Sequence, residues 1–201
     1  EEESVSEERR ASIQRQTSET RIELELCLDG SGAAEVGTGV GFFDHMLAAF
    51  SRHGLFDLRL TCEGDLEVDQ HHTVEDVGIC LGQALNEALG DKAGIQRFGH
   101  SYVPMDEALA RAVVDLSGRS YLVFSPAFQD ASVGDLPVAL VTEFFRAVVD
   151  HGRLNLHIDL LRVANDHHGV EAIFKAFGRA LDRASRRRAG VSGIPSTKGQ
   201  L

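Results

Sequence analysis

The strongest constraint on how this chain can fold is a long internal repeat. Asp69–Leu85, DQHHTVEDVGICLGQAL, returns 96 positions later as Asn165–Leu181, NDHHGVEAIFKAFGRAL. That offset lays His71 on His167, His72 on His168 and Glu75 on Glu171. Apolar positions coincide too: Val74, Val77, Leu81 and Leu85 fall on Val170, Ile173, Phe177 and Leu181. Spacings of three and four predict two amphipathic helices, each with one buried face.

The chemistry sits at the start of each helix. In His-His-x-x-Glu the glutamate lies four residues after the first histidine and three after the second, so either pair can share a face. Adjacent histidines point roughly 100° apart on a helix, so one pair can serve two centres. A single His pair would read best as a surface or capping accident. Two copies with the glutamate in register point to divalent-metal binding.

The segments between the helices repeat as well. Arg21–Leu28 alternates apolar and charged residues and predicts a half-buried strand closed by Asp29-Gly30. Ala33–Thr38 is a weaker strand, Phe42–His53 a helix stopped by Gly54, and Phe56–Cys62 another strand. The second half offers a strand at Ala108–Asp115, a turn at Ser117-Gly118 and a hairpin partner at Ser120–Phe124. A helix at Val138–Asp150 and a strand at Leu154–Leu160 lead to the second His-His helix. The expectation is an α+β fold made of a duplicated strand-strand-helix-strand-helix module. Its parts are a flexible lead-in (1–14), two half-repeats (15–94 and 95–190) and a tail (191–201).

Aligning the helix that ends at His53-Gly54 with the one that ends at His151-Gly152 sets His45 on Glu143. Each half then offers four ligands: His45, His71, His72 and Glu75, against Glu143, His167, His168 and Glu171. Imidazoles and carboxylates without thiolates suit Mn, Fe or Zn. Eight ligands shared by two six-coordinate ions leave open positions, which implies a substrate.

GFFDHML, DQHHTVEDVGI, QRFG, DLSGRS, NDHHGVEAIFKAFGRAL and PSTKG occur in this order over about Arg15–Leu201, and the chain closely resembles the imidazoleglycerol-phosphate dehydratase family. The resemblance implies a manganese lyase of histidine biosynthesis, without the phosphatase domain fused to it in some bacteria. It implies two four-stranded sheets with helices between them, and trimers assembled into a 24-subunit homo-oligomer. It also implies two Mn²⁺ per active site, assembled between subunits. One ion takes His45, His72, Glu75 and His167; the other takes His71, Glu143, His168 and Glu171. Position 143 is often His in the family. The substrate's imidazole, held as an imidazolate by the two ions, would be the electron sink that expels the hydroxyl. Glu19 matches a substrate-site glutamate and is the expected proton carrier, with Glu171 a second catalytic group. His45 and His53 match substrate-pocket positions, and Arg97, Arg119, Ser196 and Lys198 match phosphate-binding ones. On composition alone these residues would pass for surface charges and a loose tail.

Two other functions accommodate the same duplicated ligands: a binuclear phosphate-ester hydrolase, or a metal-stabilised structural assembly. Composition narrows the field further. The net charge of −11 argues against nucleic-acid binding, and no apolar run is long enough to span a membrane. Three cysteines, Cys27, Cys62 and Cys80, lack metal or redox spacing, and the N-terminal stretch has no apolar segment for secretion, so a reducing cytoplasm is expected.

Overall fold

In the computed structural model, which describes residues 8–201, each half is built from four main strands and two helices. The first half runs β1 (Arg10–Gln16), β2 (Thr20–Cys27), β3 (Ala34–Gly37), α1 (Gly41–Gly54), β4 (Asp57–Gly64) and α2 (His71–Leu89). The second runs β5 (Phe98–Met105), β6 (Ala108–Asp115), β7 (Tyr121–Phe124), α3 (Ala139–Gly152), β10 (Asn155–Arg162) and α4 (Asp166–Ser185). A short hairpin, β8 (Ser132–Val133) and β9 (Leu136–Pro137), interrupts the second half between β7 and α3.

The two sheets have the same topology. Their orders are β1-β2-β4-β3 and β5-β6-β10-β7, antiparallel except for the last pair of each. In each half a helix crossover joins the parallel pair, α1 between β3 and β4 and α3 between β7 and β10. Alternation decides which face turns inward: Ile22, Leu24 and Leu26 are each 1% exposed, while Arg21, Glu23 and Glu25 face out. All four helices lie between the sheets, with α2 on β1 and β2, α4 on β5 and β6, and α1 and α3 packed on α4 and α2. A run of phenylalanines joins the halves: Phe50 stacks on Phe177 at 5.2 Å, and Phe43 meets Phe144 edge-on at 5.3 Å. Each such ring removed from water contributes about 1.5–3 kcal/mol.

Glycine sets how closely the helices approach. A Cβ on Gly178 would lie 2.5 Å from the Phe50 carbonyl, and one on Gly82 2.7 Å from the Val148 carbonyl. These are equivalent positions of the repeat, so each His-His helix crosses its neighbour at a glycine.

Four expectations need correction. The module has one more strand per half than the strand-strand-helix-strand-helix pattern, because β1 and β5 carry little apolar alternation. The lead-in expected over 1–14 is shorter, since β1 begins at Arg10; residues 1–7 lie outside the described residues. The strand at 121–124 is not the hairpin partner of β6. It pairs in parallel with β10, which lies between them. Finally, Leu55, not Gly54, takes the left-handed turn that ends α1 (φ 58°). Gly54 is needed for space, because its Cβ would meet the Phe56 ring at 2.5 Å and the Gly178 carbonyl at 3.0 Å.

Candidate metal centre

Three of the expected ligands meet where α1 crosses the start of α4. Nε2 of His45 lies 3.3 Å from Oε2 of Glu171, and Nε2 of His167 lies 3.4 Å from the same oxygen. Ligand atoms of the three lie within 4.8 Å of one another, and among the described residues no other group of three or more such side chains gathers so closely. The imidazoles are exposed while the Glu171 side chain is only 9% exposed. The other Glu171 oxygen accepts from Lys175 Nζ at 2.7 Å. Burial pushes the Glu171 carboxyl up, but Lys175 and then His45 overcome it and hold it below its usual range. Two imidazoles converging on an ionised carboxylate fit a divalent ion with mixed nitrogen and oxygen preference.

The cradle is built by α1 and α4 together. Asn165 caps α4, its side-chain oxygen accepting from the His167 N–H at 2.9 Å. The N-terminus of α1 is capped from the other half: Asp135, in the β8–β9 turn, accepts from the N–H groups of Gly41 and Phe42 at 2.7 and 2.9 Å. Phe42 then packs edge-on against His167, with ring centroids 5.0 Å apart.

The equivalent surface, where α2 of the first half packs on α3 of the second, is looser. His71 Nε2 lies 3.4 Å from Glu75 Oε2, while the Glu143 carboxylate is held by Arg146 at 2.8 Å. Each second histidine is turned by a carboxylate. His72 Nδ1 lies 3.0 Å from Asp65, and His168 Nδ1 lies 2.9 Å from Glu107. Hydrogen bonds to those carboxylates raise both histidines above the ordinary imidazole range, and the bond from His168 lowers the Glu107 carboxyl to about 2. The expected ligands of each ion are thus divided within one chain: His45 and His167 sit with Glu171, apart from His72 and Glu75.

Glu19, in the β1–β2 turn, brings Oε1 to 3.7 Å from His72 Nε2. A buried clamp sets that turn on α2: Asp76 accepts from Arg15 Nη2 at 2.9 Å and from the Thr20 hydroxyl at 2.5 Å. His53 closes α1, and its pKa is lowered by burial and then by Lys175 and Arg179 nearby.

The four expected phosphate groups lie around the tail. Arg97 is left-handed (φ 70°), pairs with both oxygens of Asp115 at 2.8 and 3.2 Å, and donates from Nη1 to the Pro195 carbonyl at 2.9 Å. Ser196 accepts from the Lys198 N–H at 3.2 Å, with Lys198 exposed. The Leu201 terminus lies over the Ser117–Arg119 turn, so close that a Cβ on Gly118 would be 2.4 Å from its carbonyl carbon. Arg119 is exposed on that turn, which Asn155 holds by donating to the Arg119 carbonyl at 2.6 Å.

Sequence reasoning missed Asp65, Glu107, Lys175 and Asp135. Lys175 stands four residues beyond Glu171, and that spacing alone would have suggested the ion pair. Asp135 gave no signal, because its caps join positions more than ninety residues apart.

A family model described as imidazoleglycerol-phosphate dehydratase matches residues 38–181. The chain is 58% identical over 193 residues to the imidazoleglycerol-phosphate dehydratase of Salinibacter ruber, covering 96% of each. The crystal structure of the Staphylococcus aureus enzyme matches with a TM-score of 0.79 at 45% identity, covering 87% of this chain and 97% of that one. That of the Pyrococcus furiosus enzyme in complex with (S)-C348 matches with a TM-score of 0.82 at 39% identity, covering 94% and 100%. With the fold, the repeat and these matches in agreement, the chain belongs to the imidazoleglycerol-phosphate dehydratase family, the hydro-lyases of histidine biosynthesis.

Proposed function

We propose that this chain dehydrates D-erythro-imidazole glycerol phosphate to imidazole acetol phosphate, using two Mn²⁺ per active site assembled between subunits of a homo-oligomer. The observation that carries this most is the His45–His167–Glu171 cluster, which brings two imidazoles proposed for one ion beside a carboxylate proposed for the other. His45, His72, Glu75 and His167 would hold one ion; His71, Glu143, His168 and Glu171 would hold the other. Bound Mn²⁺ would act as a Lewis acid on the substrate's ring and leaving hydroxyl.

The remaining work falls to the chain's own groups. Loss of the hydroxyl and of one carbon-bound proton removes water and leaves an enol, which tautomerises to the ketone. Glu19 is the proposed carrier of that proton, beside His72 on a turn fixed by Asp76. Glu171 is a second, metal-bound candidate. His45 and His53 are proposed to line the substrate pocket, and Arg97, Arg119, Ser196 and Lys198 to bind the phosphate, supported by the tail's docking beside Arg97 and the Ser117–Arg119 turn.

The division of ligands within one chain supports a shared site, and a 24-subunit assembly of trimers is the proposed form. Three buried free thiols suit a reducing cytoplasm, and among the described residues no helix is long and apolar enough to cross a membrane.

The test is to strip the protein of metal and assay it with imidazole glycerol phosphate. Product formation restored by Mn²⁺ is the expected result. Absence of product with every divalent ion supplied would overturn the proposal.

A further inference from the structure

The two halves are duplicates, yet they steady their second histidines differently. Strand registers set Leu26 opposite Leu58 in one sheet and Val114 opposite Leu156 in the other. Matching those pairs superposes the β1–β2 turn on the β5–β6 turn, so that Glu19 corresponds to Glu107. The two glutamates reach opposite nitrogens of equivalent rings: Glu107 is 2.9 Å from Nδ1 of His168, and Glu19 is 3.7 Å from Nε2 of His72. In the first half the Nδ1 position is taken instead by Asp65, at 3.0 Å.

A carboxylate only accepts, so the nitrogen facing Asp65 or Glu107 carries the proton. A neutral ring then presents a bare lone pair at Nε2. Glu107 is itself held at two points, with Oε2 on the imidazole and Oε1 accepting the Asn165 N–H at 2.8 Å. Asn165 caps α4, so one side chain fixes both the ring and the turn of helix that bears it. Asp65 is tied to the opposite turn, donating its own N–H to the Glu19 carbonyl at 3.1 Å.

We infer that Asp65 and Glu107 are positioning residues with one task reached by different routes: each fixes its histidine with the proton on Nδ1 and Nε2 free to ligate. Because Asp65 takes over in the first half, Glu19 is released to the reactive side of its ring. The inference rests on the proposed metal site, but its primary test needs neither metal nor substrate.

That test is nitrogen-detected NMR of the imidazoles in the metal-free full chain at mildly alkaline pH, beside Mn²⁺ titration by electron paramagnetic resonance. Wild type is expected to show His72 and His168 protonated at Nδ1. Glu107→Gln is the informative variant. Its amide oxygen keeps the Asn165 N–H, so its NH₂ faces Nδ1 and should invert the His168 tautomer while the helix stays intact. Mn²⁺ affinity should fall about 10–100-fold. Asp65→Ala should release His72 alone, and Glu19→Gln should leave both tautomers as in wild type. A wild-type His168 protonated at Nε2, or an unchanged tautomer in Glu107→Gln, would overturn the inference. Failure of the dehydratase assay would leave these signals unaltered, so the two ideas fail separately.

Discussion

At the scale of single residues, the cysteines show how burial decides chemistry. Cys62 on β4 and Cys80 on the buried face of α2 lie near the Asp76 clamp, and burial first, then the Asp76 charge, pushes their thiols up to about 11 and about 12. Thr73 for Cys62 and Arg15 for Cys80 oppose the shift without reversing it. Both thiols should resist alkylation in the native protein at neutral pH, read by mass spectrometry, and react on unfolding. The same shifts set a pH dependence. Between the unfolded value of 9.0 and the raised folded values, the unfolded chain has lost protons that the folded chain keeps. Stability therefore falls as pH rises through that window, on the order of 2 kcal/mol from Cys62 alone. Denaturant unfolding at several alkaline pH values, against Cys62→Ala, measures it. A variant that loses stability with pH as steeply as wild type would refute the assignment.

At the scale of elements, the site depends on how closely helices cross. Gly178 of α4 faces the backbone of α1 at Phe50 and Gly54, and the same two helices carry Glu171, His167 and His45. Gly178→Ala forces α1 away by pushing on a carbonyl, which cannot turn aside. The expected cost is about 1–3 kcal/mol of stability, with weakened Mn²⁺ binding because the imidazoles separate. Thermal unfolding and metal titration check both, and a variant binding metal as tightly as wild type would show that this spacing does not matter. The helices themselves were legible because a 3.6-residue apolar period needs no tertiary information. β1 and β5 were not. Gly99 and Ser101 face inward on β5, and a Cβ on Gly99 would lie 2.0 Å from the Ala180 carbonyl. A strand that packs its backbone against a helix through glycine and serine leaves only a short apolar signal, Val103 and Met105 on β5 and Ala11 and Ile13 on β1. The eight candidate ligands could be proposed from sequence because they repeat, and three of them, His45, His167 and Glu171, come together in the fold; Asp65 and Glu107 could not, because the repeat is broken at the carboxylates that hold the second histidines.

At the scale of the whole molecule, the duplication produces two unequal surfaces rather than one finished centre. One bears His45, His167, His168 and Glu171 on α1 and α4; the other bears His71, His72, Glu75 and Glu143 on α2 and α3. If each active site joins the first surface of one subunit to the second surface of another, two crippled chains should repair each other. His45→Ala with His167→Ala removes the first surface, and His71→Ala with Glu75→Ala removes the second. Each double variant alone should assemble without activity. Unfolded together and refolded in equal amounts, they should regain about a quarter of wild-type activity, since half the subunits offer an intact first surface and half an intact second. Wild-type chain at the same total concentration gives the reference, and light scattering checks that mixed particles have formed. No recovery in properly assembled mixtures would mean that each chain completes its own site, which would require the two surfaces to meet within one subunit.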